Sequence, residues 1–474
     1  MAAIVVLGGG VCGLATSLVL ARDGHEVTVL ERDDAPVPDS TDDAWEDWRR
    51  PGVAQFHQAH YLQPRWARLL DAELPDVRDA LLATGALRFD PLRSAPPTAG
   101  VQERRPDDDR FTTVTARRTT LEQVVARVAA DEPRLQVQRG TAVDGLVTRR
   151  VDGAALVTAV RTTGGREVPA DLVVDATGRR SPLPDWLHDA GDRPPYEEVT
   201  DSGFGYYTRF FRSRDGGLPQ VRASMQTHVG TFSLLTLPAD RGTWSVTVVV
   251  DSHDRPLKEL RHEDVWTAVV AACPRHAHWL DGEPITRVLP MSGVLDRYTR
   301  AVVDGVPVVT GLVAVADSWA CTNPSLGRGI TMGLLQAACL RDALRDGADD
   351  DPTAFAARWD DRVEEAVTPW YRATLAVDRA RLAEMRALRE GRVPDPPQGR
   401  AALGPALGRA AAYDPELFRA MLEIIGCLAL PAEVFSRPGL AERVARVAGE
   451  QPPAPAPGPD REELLRLVAG APVG

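Results

Sequence analysis

The sequence predicts an α/β fold in which a Rossmann-like dinucleotide-binding domain carries an inserted antiparallel sheet and is followed by a helical C-terminal region. Three observations predict it. Residues 1–35 read as a short apolar strand, a glycine turn, an apolar helix and a second strand ending in an acid. Two later apolar runs, at residues 170–178 and 306–313, have the composition of buried strands, and each leads into a turn of small or polar residues. Between them, over residues 199–250, aromatic and β-branched residues take over in the pattern of antiparallel strands.

The first unit is the most specific. Ile4, Val5, Val6 and Leu7 form one strand's worth of apolar residues; Gly8, Gly10 and Gly13 follow at the fingerprint spacing, and Glu31 closes the second strand. Gly8 permits the tight turn, Gly10 lets the backbone approach a pyrophosphate, and Gly13 lets the helix pack on the strand. The helix N-terminus adds free N–H groups and partial positive charge. Glu31, with Arg32 beside it, is placed to meet an adenosine ribose. Alone, this unit suits FAD and NAD equally.

An acidic, proline-containing excursion at residues 33–47 leads to a segment with His57 and His60 three residues apart, close enough to share a helical face. They read as polar packing or surface residues, or else as candidates for a pocket or cofactor-facing role; no third ligand at metal spacing accompanies them, and no metal site is expected. Residues 115–122 open an amphipathic helix with Leu121, Val124, Val125 and Val128 on one face, and the arginines before it can reach a phosphate or a ribityl chain. Strands near 135–137, 145–151 and 154–162 follow, the last two reading as a hairpin across Asp152 and Gly153. The strand at 170–175 ends in Asp175-Ala176-Thr177-Gly178, a turn small enough for backbone to lie against a cofactor. In the inserted sheet, Tyr206, Phe210, Phe232 and Trp244 read either as core, the commoner use of aromatic strands, or as candidates for a substrate pocket floor. After the strand at 306–313, Asp317 is followed by Pro324, and Gly327, Arg328 and Gly329 open a helix whose free N–H groups can stabilise negative charge. Residues 355–392 read as one long amphipathic helix, 413–449 as two shorter ones, 451–459 as a proline-rich linker and 460–468 as a small terminal helix.

Composition narrows the function classes. The 474 residues allow two to three domains, and 26% charged with 44% hydrophobic residues is ordinary for a globular protein. A net charge of -12 argues against nucleic acid or an anionic membrane as the main partner. Cys12, Cys273, Cys321, Cys339 and Cys427 are scattered without CxxC spacing, which fits a reducing compartment. No run of eighteen apolar residues occurs and the N-terminus enters a strand directly, so a cytoplasmic location without a membrane span is expected.

Together these motifs resemble the FAD-dependent monooxygenase superfamily with the aromatic hydroxylase type of fold, over about residues 1–340, in a branch similar to the bacterial polyketide epoxidases. Gly8, Gly10, Gly13 and Glu31 match its first motif, Arg118 with Leu121 its arginine before the second helix, Thr177 and Gly178 its second cofactor turn, and Asp317, Pro324, Gly327 and Gly329 its third motif. The resemblance implies FAD, held in a discontinuous domain of residues 1–85, 110–185 and 300–345. A substrate-binding sheet would span 86–109 and 186–299, and a helical region 346–450, before the linker and a terminal helix or tail at 460–474. It further implies oxygen transfer from a flavin hydroperoxide, formed with dioxygen, to an electron-rich small molecule. The substrate would be apolar, polyketide-like or aromatic, epoxidised or hydroxylated in secondary metabolism. NADH or NADPH would be the reductant, directly or through a separate flavin reductase. Thr177 stands where the family has an aspartate near both FAD and the nicotinamide, and Ala316 where it has glycine. A geranylgeranyl-reductase-type reductase or dehydrogenase is the first alternative. Flavin-dependent halogenation is the next, although the Trp-x-Trp-x-Ile-Pro motif is absent and the single lysine, Lys258, lies in a polar stretch. A non-redox flavin-binding cyclase is the last.

Overall fold

The computed structural model describes residues 1–151, 153–189, 193–347, 351–451 and 456–470. Asp152 of the hairpin turn, residues 452–455 of the linker and 471–474 of the tail lie outside them.

Strand β1 (Ala3–Leu7), helix α1 (Val11–Arg22) and strand β2 (Glu26–Glu31) form the opening unit. Helix α1 is apolar on nearly every side because it lies between the sheet and two other helices; Leu14 and Leu18 are fully buried, each contributing about 1.5–3 kcal/mol. Helix α2 (Arg118–Ala130) packs on α1 and leads into β3 (Leu135–Arg139); the hairpin strands Val143–Val151 and Ala154–Thr162 then precede β4 (Leu172–Asp175).

The inserted sheet centres on β5 (Phe204–Arg212), β6 (Phe232–Pro238) and β7 (Thr243–Asp251), with α3 (Glu263–Ala271) behind it. The chain returns through β8 (Leu295–Arg300) and β9 (Leu312–Ala314) to α4 (Gly329–Arg345). Helices α5 (Thr368–Arg389), α6 (Leu403–Ala410), α7 (Pro415–Ile425), α8 (Leu440–Glu450) and α9 (Arg461–Val468) follow a helix at Pro352–Ala366.

The main sheet has the order β9-β4-β1-β2-β3, every neighbouring pair parallel. Leu7 pairs with both Leu30 and Asp175, so Gly8, Glu31 and the 176–178 turn all emerge at one edge. That edge is where the carboxyl ends of parallel strands leave a crevice.

Three local readings of the sequence need correction. The apolar run at 306–313 is three short strands, because Val309–Thr310 pairs with the hairpin strand whereas β9 pairs with β4. Gly311 makes the switch, at φ +69° and with a Cβ site only 2.5 Å from the Val157 carbonyl oxygen. Residues 355–392 are two helices, since the chain bends at Val367 and Pro369 sits in the first turn of α5. Residues 413–449 hold three helices: Pro431 starts a short one at Pro431–Phe435 between α7 and α8.

Alternation along the inserted sheet decides what it offers to each side. Phe232 and Leu234 on β6 and Trp244, Val246 and Val248 on β7 turn to a core under α3 and α9. Leu235 and Leu237 turn the other way, to the main cavity. No described helix is long and apolar enough to cross a membrane.

Candidate functional site

The glycine turn is built so that backbone replaces side chains. A Cβ at Gly13 would lie 2.1 Å from the Gly8 carbonyl oxygen, and one at Gly8, where φ is +101°, 2.6 Å from the Ala176 carbonyl oxygen. At Gly10 a Cβ would meet nothing within 4 Å, which leaves an open approach to the N-terminus of α1. These are the features a pyrophosphate needs.

Glu31 is buried and well occupied. Its Oε2 accepts from the Gly9 N–H at 2.8 Å and from Arg50 at 2.8 Å, and its Oε1 accepts from the Asp33 N–H at 2.9 Å. A carboxylate offers about four acceptor positions, so one remains for a ribose hydroxyl. Arg50 is the unforeseen member: its buried guanidinium also meets Asp33 and donates to the Gly9 carbonyl. Arg32 is exposed and lines the cavity.

The second turn is organised by Asp175, which is fully buried at the end of β4. Its Oδ1 accepts from the Thr177 N–H at 2.9 Å, the Thr177 hydroxyl at 2.6 Å and the Ser318 hydroxyl at 3.1 Å, while Oδ2 accepts from Ser181. Thr177 is thereby folded back onto its own turn. Ser318 also accepts from the Gly178 N–H at 2.8 Å, tying the second motif to the third.

In the third motif, Ala316 has φ +53° and donates its N–H to the buried Gln336 side chain at 2.6 Å. This is the left-handed region that glycine occupies at no cost, and an L-residue loses about 1–2 kcal/mol there. Ala316→Gly is therefore expected to stabilise the protein by up to about 1 kcal/mol, offset by greater chain entropy; equal or lower thermal midpoints would show that the Ala316 methyl, packed at Gly333 and Cys12, contributes more. Asp317 is partly buried and makes no hydrogen bond or ion pair among the described residues. Burial raises its pKa, against the pull of Arg118 and Arg179. The 324–327 turn is pinned at its far end: the Leu326 carbonyl accepts from Gln63 Nε2 at 2.7 Å, and Gly327 has φ +61°. A Cβ at Gly329 would stand 3.6 Å from Asp317, so the acid and the start of α4 face one space. Arg328 is buried, donating to Thr374 at 3.0 Å and lying over the Trp370 ring.

Arg118 faces the cavity and is held by Glu122, its Nε donating at 2.8 Å. His60 lies against it. The His60 Nδ1 is 3.0 Å from the Gln58 carbonyl oxygen and must donate, leaving Nε2 to accept from Arg118 at 3.4 Å. Burial, helped by Arg118, pushes its pKa down to about 3, so it is neutral and a poor proton acceptor. His57 is half-buried, edge-on to Trp45 and Phe56, with Nε2 at 3.2 Å from the Trp45 carbonyl oxygen, and burial lowers its pKa. His57 does not line the cavity, and the two histidines do not meet in a catalytic pair.

The four aromatic candidates are core residues. Phe232 and Trp244 face α3, Phe210 packs against Trp45, and the Tyr206 hydroxyl donates to Asn323 Oδ1. Alternation gives two faces to each strand, but only the packing of helices shows which face is open. The cavity, of about 3510 Å3, joins the glycine turn, Arg118, Asp317 and the 324–329 loop to Leu235, Leu237 and the C-terminal helices. Pockets for one small ligand are about 300–1,000 Å3, so there is room for a cofactor and a substrate together. Its far wall carries Leu407, Phe418, Met421, Leu422 and Ile425, residues whose helices gave no local sign of a site.

Comparison with known proteins finds the following similarities. Residues 3–95 match the model of the FAD dependent oxidoreductase family, and residues 53–283 that of the flavin containing amine oxidoreductases. Protein Rv3254 of Mycobacterium tuberculosis is 29% identical over 364 residues, 72% of each chain. PqsL of Pseudomonas aeruginosa, described as a probable FAD-dependent monooxygenase, superposes with a TM-score of 0.57 at 18% identity, covering 81% of this chain and 96% of its own. The Diels-Alderase PyrE3 of pyrroindomycin biosynthesis superposes with a TM-score of 0.56 at 17% identity, covering 90% and 80%.

Proposed function

This chain has the fold of the FAD-dependent monooxygenase superfamily, and from that premise we propose that it transfers one oxygen atom from dioxygen to a bulky, apolar, electron-rich small molecule. The observation that carries this reading is the continuity of one cavity from the glycine turn, past Asp317 and the start of α4, to an apolar wall. The residues fit FAD: the Gly8–Gly13 turn is cleared for a pyrophosphate, one Glu31 acceptor position is free, and Asp317 has no hydrogen-bond or ion-pair partner among the described residues. When bound, FAD supplies the electrons and the activation of dioxygen.

The chain's own residues bind, orient and exclude water. Backbone N–H groups of the α4 N-terminus would favour negative charge on a flavin ring held there, and Arg118, fixed between Glu122 and His60, adds a cation to the same cavity. The apolar wall keeps water from the reacting atoms and holds the substrate in place. With both His60 nitrogens engaged and its pKa near 3, proton removal from a phenol is poorly served, which favours epoxidation over phenol hydroxylation. NADH or NADPH is the proposed reductant. Thr177 is committed to Asp175, which favours delivery of electrons through a separate reductase.

Anaerobic mixing of the purified flavoprotein with NADH or NADPH, followed by flavin absorbance, tests the reading. Bleaching reversed by air with substrate oxidation supports a single-component enzyme, and turnover only with an added reductase supports two components. No turnover with any reductant overturns the oxygenase reading. Asp317→Ala is expected to weaken FAD by about 1–2 kcal/mol through loss of hydroxyl hydrogen bonds; a variant that keeps its full flavin content on gel filtration would remove Asp317 from the site.

A further inference from the structure

Helix α5 stands directly behind the loop that opens α4. Its buried face carries Thr374 and Asp378, one turn apart. Asp378 Oδ1 accepts from the Ser325 hydroxyl at 2.6 Å, whereas Oδ2 is buried and, among the described residues, has only the Asn323 amide near it, without a hydrogen bond of good geometry. Asn323 lies beside it. The Asn323 backbone N–H donates to Asp296 at 2.9 Å and its Oδ1 accepts from Tyr206, but its Nδ2 is buried and unpaired. A carboxylate in such surroundings is costly to ionise, and a proton on that oxygen removes the buried charge.

The groups facing Asp378 come from three other elements: Asn323, Ser325 and Arg328 on the loop, Tyr206 on β5 and Asp296 on β8. Burial dominates; Asp296 adds repulsion, and Ser325, Asn323 and Arg328 pull the other way. The balance pushes the pKa up to about 7.

We propose that Asp378 is a positioning residue: by holding Ser325 and facing Asn323 it sets the shape of the loop that presents the α4 N-terminus to the flavin ring, and its proton tunes how readily that ring accepts electrons. The proposal rests on the FAD reading above. The loop is tethered by Asn323 at Asp296 and Tyr206, by Gln63 at Leu326, by Arg328 at Thr374 and by Asp378 at Ser325. Ionised Asp378 places negative charge behind the same loop and opposes negative charge on a reduced ring.

The test compares wild type, Asp378→Asn, Asp378→Ala and Ser325→Ala, each reconstituted with FAD, for flavin retention and for midpoint potential between pH 6 and 8. Asp378→Asn is expected to retain FAD within about twofold, with a potential that falls less steeply with pH than that of wild type; Asp378→Ala and Ser325→Ala are expected to bind about tenfold more weakly. Parallel pH dependences of wild type and Asp378→Asn overturn the proposal. So does full retention in Asp378→Ala, or in Ser325→Ala should Asp378→Ala not fold. A wild type that binds no FAD refutes the cofactor reading instead.

The apoprotein tests the proton separately. Folding raises this pKa from 3.8 to about 7, so its stabilising effect is full at low pH and is lost as pH rises through that window. The thermal midpoint of wild type is expected to drop relative to Asp378→Asn between pH 5 and 8. Superimposable curves would overturn the assignment of the proton.

Discussion

Gly13→Ala is expected to purify without flavin and to melt well below wild type. The added Cβ would lie 2.1 Å from the Gly8 carbonyl oxygen and 3.2 Å from the Ala176 Cβ, and the nearer atom is backbone that cannot rotate aside. Helix α1 must then move away from the turn, at the upper end of the overpacking range, about 3 kcal/mol. Because α1 also packs against α2 and α4, the shift spreads through the main core. Gly10→Ala supplies the contrast. Its Cβ meets nothing within 4 Å, so stability should be unchanged while FAD affinity falls, since only the approach of the pyrophosphate is obstructed. Thermal melts and flavin absorbance of the two variants separate fold from ligand; a Gly13→Ala protein with normal melting and flavin content would mean that the strand and helix do not meet as described.

Asp240→Ala is expected to destabilise the protein by about 3–5 kcal/mol, the loss seen when one partner of a buried ion pair is left alone. Asp240 and Arg117 are both fully sheltered. The carboxylate accepts from the Arg117 N–H at 2.7 Å, from its Nη2 at 2.7 Å and from the Thr120 hydroxyl at 2.9 Å. The pair joins the start of α2 to the turn between β6 and β7, and so holds the two sheets together. Removing both charges with Arg117→Met and Asp240→Leu should recover most of the loss. Urea denaturation of the single and double variants measures it, and a loss below 1 kcal/mol for Asp240→Ala would show that water reaches the site.

The legible part of the site consists of local patterns. Gly8, Gly10 and Gly13 could be read because strand, turn and helix follow one another without a break, and Asp317 to Gly329 because an acid, a proline and two glycines keep their spacing. Arg50, Asp240 and Asp378 were not legible, since each acts on a partner brought near by the fold. Glu31 and Arg50 are 19 positions apart, and Ser325 and Asp378 are 53 apart. Arg117 and Arg118 differ within one step of chain: the second, singled out by its spacing to Leu121, turns into the cavity, whereas the inter-sheet pair made by the first depends on Asp240, 123 positions away. The aromatic residues of the inserted sheet were conspicuous by size, yet the cavity is floored by Leu235 and Leu237, because the large rings fill the core under α3.

Helix α5 has 22 residues, about 33 Å of nearly rigid rod. In its first half Thr374 and Asp378 engage the loop before α4; further along Arg381 donates to Ser233 and the Phe232 carbonyl, and Arg389 reaches Asp251 at the end of β7. One helix thus sets the separation between the two halves of the molecule, as a gauge block would. Inserting a single alanine after Asp378 would turn everything beyond it by about 100° and advance it by about 1.5 Å. Arg381 and Arg389 would lose their partners while Asp378 kept its own. The same insertion at residues 393–397, which form no helix or strand, would leave the calibration intact.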